Sequence, residues 1–325
     1  MQKDRFKSSA IRAALGFGAA GLAMPFGSAA VAAPVGNLAA SPDNRFSVDI
    51  GLEHSRRDMH QRGTANYWTF TSGDETLTEG FRGLDAREDQ TDLYAQINFS
   101  VTPRIELYGR AGATRTRLTD FGSFNYELTE EGAFTEGPGN GGRMSLETGP
   151  FDADVGGFSS GSTSTGWLAA LGAKFDLHEW EDHGAGLTLD VMYQIRDAGG
   201  GWDLMTPVFA GGGDPIQARG DDRVHVDGYK SSEWHAALIL ERRVGSFRPY
   251  GGIKYSRIKS DYDLERSSEF EAFDGQTGTL RMRNDREVGF LGGMEYLMTS
   301  NMSLTGEIRA GDETALNLGL RYRFE

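Results

Sequence analysis

The chain has 325 residues, a formal net charge of -14, 38% hydrophobic residues, 45 glycines and no cysteine. Such an acidic chain lacks the basic surface that phosphate neutralisation needs, which excludes nucleic acid as the expected partner. Without cysteine there is no disulfide, no thiolate metal ligand and no thiol nucleophile.

The mean hydropathy of -0.45 excludes a helical membrane protein, since no stretch after the N-terminus approaches about eighteen apolar residues. It does not exclude a barrel, whose strands need only about ten residues, half of them polar. Glycine at this level suits many strands and loops, and no stretch places apolar residues at helical spacing.

Residues 1–32 read as a cleaved secretory signal. Lys3, Arg5, Lys7 and Arg12 precede a short apolar run from Ala13 to Met24, and Ala30-Val31-Ala32 supplies the small-x-small cleavage pattern. Residues 33–325 are expected to form one domain.

Strand one is predicted from about Arg45 to Met59, with Phe46, Val48, Ile50 and Leu52 on one face. Strand two alternates Leu93, Ala95, Ile97 and Phe99 with Asp92, Tyr94, Gln96 and Asn98. A tight turn at Val101-Thr102-Pro103-Arg104 leads to strand three, and a long acidic loop over 119–163 to strand four around Trp167 to Leu177. Strand five follows through Leu187 to Ile195, and a third loop reaches Arg223. Strands six and seven, about Val224–Arg243 and Phe247–Tyr262, meet at Gly245-Ser246. Strand eight is expected over Met282–Met298 after a fourth acidic loop, and strand nine carries Met302 to Ala310. The order predicts an all-β fold, an antiparallel up-and-down barrel of about ten strands with eight or twelve left open. Short turns lie at the end holding both termini, and long acidic loops at the other.

The last strand, Thr314 to Phe324, alternates Leu316, Leu318, Leu320, Tyr322 and Phe324 with Asn317, Gly319, Arg321 and Arg323. Asn317, Gly319, Tyr322 and Phe324 resemble the closing-strand signal of Gram-negative outer-membrane β-barrels, from which Glu325 departs by following the aromatic. The resemblance implies a transmembrane barrel in the cell outer membrane, partnered by its lipid and lipopolysaccharide, the barrel-assembly machinery and periplasmic chaperones. Trp68, Trp167, Trp202 and Trp234 toward the outer strand ends, and Phe99, Phe175, Phe247, Tyr296 and Phe324 toward the periplasmic ones, resemble the two aromatic girdles of such barrels.

The polar faces then point inward. The lumen is expected to be lined by the acids Asp49, Glu53, Glu106, Asp190, Glu233, Glu287 and Glu307. It is equally expected to carry the bases Arg110, Arg196, Arg248, Lys254, Arg309, Arg321 and Arg323. Such a balanced interior suits a narrow porin-like channel for small polar solutes, or a shut scaffold that acts as an adhesin or structural element through its loops. A surface hydrolase like the omptins, which resemble this chain in strand number, would draw on Asp221, Asp222, His225 and Asp227 opposite Asp85 or Asp89. The local order His225-Val226-Asp227 departs from the family's Asp-x-His. The acidic loops read as solvated surface without a calcium-loop pattern. No catalytic residue, metal site or cofactor is assigned.

Overall fold

The computed structural model of the chain describes residues 45–72, 75–120, 124–131, 144–151, 163–205, 208–211, 214–217, 223–267 and 275–324. The expected leader over 1–32 and the acids Asp221 and Asp222 lie outside these residues.

Among the described residues, seventeen strands follow one another: β1 (Phe46–Gln61), β2 (Thr64–Ser72), β3 (Glu75–Arg82), β4 (Asp85–Thr102), β5 (Ile105–Thr119), β6 (Phe124–Glu131) and β7 (Met144–Phe151). Then come β8 (Ser164–Trp180), β9 (Ala185–Met205), β10 (Val208–Gly211), β11 (Asp214–Gln217), β12 (Arg223–Arg242) and β13 (Phe247–Ser267). The last four are β14 (Gln276–Asn284), β15 (Val288–Leu297), β16 (Met302–Ala310) and β17 (Thr314–Arg323). The helical content of the described residues is a single 3-10 turn, Glu181–His183, between β8 and β9.

Ten of these strands close a ring, in the order β1, β4, β5, β8, β9, β12, β13, β15, β16, β17 and back to β1. Every neighbouring pair is antiparallel, and the closure runs from Ser47 opposite Arg323 to Arg56 opposite Thr314. The expected ten-stranded up-and-down barrel is what forms. Closure leaves no free strand edge within the ring, so every wall residue can pair its backbone internally.

Several stretches read from the sequence as loops carry strands. β2, β3, β6 and β7 form a separate four-stranded sheet, and β10 pairs with β11. Strand eight, expected to be continuous over Met282–Met298, is broken at Asp285–Glu287. β14 above the break wedges between β1 and β13, with Met59 opposite Asn284 and Lys259 opposite Arg283. β15 below it pairs with the lower part of β13, Phe247 opposite Tyr296 through Tyr255 opposite Val288. The Asn284 side chain bridges the break: its Oδ1 accepts from the Ile258 N–H at 3.0 Å and its Nδ2 donates to the Ser256 carbonyl at 2.9 Å. Two β13 backbone groups that lose their strand partner are thereby satisfied.

The wall inverts its polarity along its length. Near the turns, β4 exposes Leu93 and Ile97 and buries Asp92, Gln96 and Asn98. Further along β13, the outward residues become Arg257, Lys259, Asp261 and Glu265, while Ile258, Tyr262 and Leu264 go inside. β12 switches in step, from outward Trp234, Leu238 and Leu240 to inward Val224 and Val226. β9 and β13 run for 21 residues each, about twice the 9–11 residues that cross a bilayer. Half of the wall is therefore a barrel turned inside out, and the other half continues it with an ordinary apolar interior.

Candidate functional site: the barrel interior

Alternation fixes which side chains enter the lumen, since successive Cβ atoms point to opposite faces of a strand. At the turn end, Arg321 Nε donates to Asp49 at 2.8 Å, with both side chains fully buried. Beside it Glu295 receives Arg248 at 3.2 Å and Arg323 at 2.8 Å, and Lys174 pairs with Glu106 at 3.2 Å.

Tyrosines then fill the width of the barrel. A Cβ on Gly51 would lie 2.2 Å from the Tyr94 ring, and one on Gly172 would lie 2.2 Å from the Tyr108 ring, so glycine alone admits these rings. The Tyr108 hydroxyl donates to Asp190 at 2.8 Å and that of Tyr250 to Glu307 at 3.1 Å.

Above them lies a branched ion network. Arg309 reaches Glu53 at 2.7 Å, Glu313 at 2.8 Å and Glu307 at 3.3 Å, and Arg110 stands 4.0 Å from Glu53. Arg196 joins Asp92 at 3.0 Å to Glu233 at 3.1 Å. Arg57 holds Glu313 at 2.6 Å and Glu233 at 3.4 Å, and donates to Gln90 at 2.8 Å. Lys254 pairs with Asp312 at 3.0 Å and with Glu313. Planar guanidinium forks suit such shared carboxylates, because each can donate in several directions at once.

Toward the loop end, Glu88 accepts from the hydroxyls of Tyr262 at 2.8 Å, Ser260 at 3.0 Å and Tyr229 at 3.3 Å. Met59, Leu84, Leu118, Val224, Val226, Ile258, Leu264, Leu280 and Met282 then pack together as an apolar stopper, none more than 2% exposed. A cavity of about 30 Å³ opens among Glu53, Tyr108, Asp190, Glu233, His235 and Arg309. One water needs about 10–15 Å³ on that measure, so the cavity holds about two.

Thirteen of the fourteen side chains expected in the lumen point into it: Asp49, Glu53, Glu106, Arg110, Asp190, Arg196, Glu233, Arg248, Lys254, Glu307, Arg309, Arg321 and Arg323. Glu287 is the correction. It falls in the break before β15, and its carboxylate accepts from Tyr255 at 3.1 Å and faces Arg283 at 3.3 Å and Arg257 at 3.9 Å on the outer surface. Arg57, Glu88, Asp312 and Glu313 belong to the interior but were missed. Arg57 is in phase with Asp49 and Glu53 along β1, which was a usable signal. Asp312 and Glu313 lie in the short connection between β16 and β17, which folds both into the lumen, where they are at most 4% exposed.

Of the closing-strand residues, Asn317 points inward and accepts from Tyr94 at 3.2 Å, while Tyr322 and Phe324 are outward with rings 5.1 Å apart. Trp167 and Trp234 stand exposed where the apolar exterior ends, and Phe46–Phe99 and Phe247–Tyr296 contacts ring the turn end. The backbone of Trp202 lies opposite Val226, well beyond that exterior.

The exterior between these two rims decides the environment. Leu171, Phe290, Val288, Ile308 and Ile97 are between 56% and 73% exposed, around an interior of buried charges. In water that arrangement would expose apolar surface and bury ions, both unfavourably. In a bilayer the first cost vanishes at the wall, and the ions inside offset the second by pairing with one another. This is a transmembrane β-barrel of the outer-membrane type.

No family model matches the sequence, and no curated protein matches it. Among solved structures the chain is similar to the outer membrane protease OmpT from Escherichia coli, at 16% identity and a TM-score of 0.41, over 89% of this chain and 99% of that one. It is similar to the β domain of the Bordetella autotransporter BrkA, at 13% identity and a TM-score of 0.37, over 87% and 100%. It is also similar to the toluene transporter TbuX of Ralstonia pickettii, at 11% identity and a TM-score of 0.31, over 87% and 90%. A protease, an autotransporter and a transporter share little beyond the barrel, and at these scores none of them bears on what this chain does.

Of the residues considered for hydrolysis, the described ones do not converge. His225 pairs with Asp203 on the outer face of the wall, between the inward Val224 and Val226. Asp85 receives His60 at 2.7 Å, and Asp89 pairs with Arg56 at 2.9 Å, both again on the outer face. A shared reacting atom would need these groups around one position.

Proposed function

We propose that the protein is a shut barrel of the Gram-negative outer membrane that acts through its outer end, as an adhesin-like or structural scaffold. The apolar stopper carries this reading. It spans the barrel above the ion network, and a conducting path would have to part Val224, Val226, Ile258 and Leu280, each fully buried. Below it, buried ion pairs with several partners each resist opening, because separating one leaves uncompensated charge. The extension of β9, β12 and β13 beyond the apolar exterior lifts the hairpin sheets clear of the bilayer, where a partner can reach them.

A narrow porin-like channel for small polar solutes is the competing reading, and it requires the stopper to move aside. Neither reading assigns the protein a reaction. The two separate in a planar bilayer containing the refolded, heat-modifiable protein. The scaffold reading expects no conductance steps at any voltage the bilayer withstands. Discrete, reproducible steps from folded protein would replace it by the channel.

A further inference from the structure

The outer face of β13, β14 and β1 carries cations that the fold itself leaves uncompensated. Lys259 stands directly opposite Arg283 across the β13–β14 pair, and His60 stands opposite Arg283 on its other side. Like charges facing each other across an antiparallel pair are destabilising, so such a row calls for an anion. Arg257 lies two residues nearer the turns on the same face of β13, and the exposed Arg286 follows the strand break. His60 is taken by Asp85 at 2.7 Å, and among the described residues Glu287 alone pairs with the lysine and arginines of the row, at 3.3 Å from Arg283 and 3.9 Å from Arg257. Lys259 and Arg286 have no ion-pair partner there, and the buried Nε of Arg283 has no acceptor. Asp261 and Asp285, the adjoining carboxylates in sequence, form no ion pair with the row.

The height of the row says what the anion is attached to. Tyr255 and Val288, 40% and 62% exposed, are the last apolar residues of the exterior in this sector. Arg257 follows Tyr255 by two residues and Lys259 by four, about 7 and 13 Å along a tilted strand. Headgroups occupy about the first 5–8 Å beyond the hydrocarbon on each side. The cations thus sit at and just above the headgroup plane, against the lipid, with their stems over an apolar wall.

We propose that Lys259, Arg283, Arg257 and Arg286 form a binding site for the phosphate groups of a lipopolysaccharide molecule in the outer leaflet. Its acyl chains lie along Tyr255, Val288 and Trp234, and its phosphates bridge Lys259 to Arg283. Glu287 orders the two guanidinium groups and leaves their remaining donors free. The site rests on the transmembrane placement and is independent of whether the lumen is shut. A conducting barrel would leave it intact, and a failed lipid site would leave the stopper intact.

The test uses the full barrel in nanodiscs of phosphatidylcholine containing a minor fraction of lipopolysaccharide, with retained lipopolysaccharide read by native mass spectrometry. The comparison is between wild type, the double variant Lys259→Gln/Arg283→Gln and the control Arg117→Gln, which alters an exposed arginine on β5. Wild type and control should retain lipopolysaccharide alike, and the double variant about tenfold less. Dephosphorylated lipopolysaccharide should be lost from all three. Removing two facing like charges leaves folding intact, which heat-modifiability on gels checks. Equal retention by the folded double variant would overturn the site, as would retention of the dephosphorylated lipid by wild type. Displacement by millimolar inorganic phosphate would make it a free-anion site and would overturn the lipid assignment.

Discussion

Arg57→Ala is expected to destabilise the folded barrel by about 3–5 kcal/mol, the range for removing one partner of a buried ion pair. Its side chain is 1% exposed and reaches Glu313 at 2.6 Å, Glu233 at 3.4 Å and Gln90 at 2.8 Å. Truncation leaves two carboxylates facing one another around a space with no cation to replace the guanidinium. Lys254 and Arg309 still hold Glu313, and Arg196 still holds Glu233, so the network thins without vanishing. The double variant Arg57→Met/Glu313→Gln removes charge on both sides. It should recover part of the loss, since a packed apolar replacement of a buried pair is often tolerated. Urea unfolding of the protein refolded in lipid vesicles measures both. A loss below about 1 kcal/mol for Arg57→Ala would mean that the pair is solvated like a surface salt bridge, and that the lumen is wet.

Leu171→Arg is the second large effect, expected at about 2–4 kcal/mol in lipid, the cost of an arginine near the bilayer midplane on a barrel wall. Leu171 is 73% exposed and lies between Trp167 and Leu177 on the outward face of β8. Thr165→Arg on the same strand and face lies beyond Trp167, where the exterior is polar, and should cost no more than about 1 kcal/mol, the repulsion from Arg115 directly opposite on β5 included. Urea unfolding in the same vesicles gives both values. Equal, small effects at the two positions would remove the bilayer from the explanation of the apolar exterior.

The ring was legible because the turn-end half of most strands follows a single rule, apolar out and polar in, with Ile239, Leu291 and Met192 among the inward exceptions. Leu93, Ile97 and Phe99 on β4 and Leu316, Leu318 and Leu320 at the C-terminal end carry that rule. Strand order followed, since short turns force neighbours to pair. What lay beyond the bilayer was harder to read, because the rule reverses there: Val224 and Val226 are apolar and inward, and Lys259 is polar and outward. The expected strands six and seven, about Val224–Arg243 and Phe247–Tyr262, reach into this upper part, but without the change of face.

The interior was legible residue by residue but not as a closed network. Alternation places Glu53 and Arg309 inside, yet it cannot tell that Glu313 leaves its turn to meet both Arg309 and Arg57. Glu287 failed for a related reason. A continuous strand through Met282–Met298 would put it in phase with Glu295, and the break at Asp285 released it to the outside. Breaks of this kind depend on which neighbour each half pairs with, a long-range property that period-two patterning does not carry.

The inversion of polarity along the wall is the central claim, and single-cysteine labelling in native-lipid vesicles tests it most directly. The chain has no cysteine, so each introduced thiol reports alone. The three positions are Ile253, Ile258 and Glu265 on β13, and the probe is a membrane-impermeant maleimide. Ile253→Cys is outward and should be shielded by lipid, Ile258→Cys should be shielded by the stopper, and Glu265→Cys, outward and well above the apolar exterior, should label rapidly. Rapid labelling at Ile253 in folded protein would contradict the bilayer-facing wall, and rapid labelling at Ile258 would contradict the closed interior.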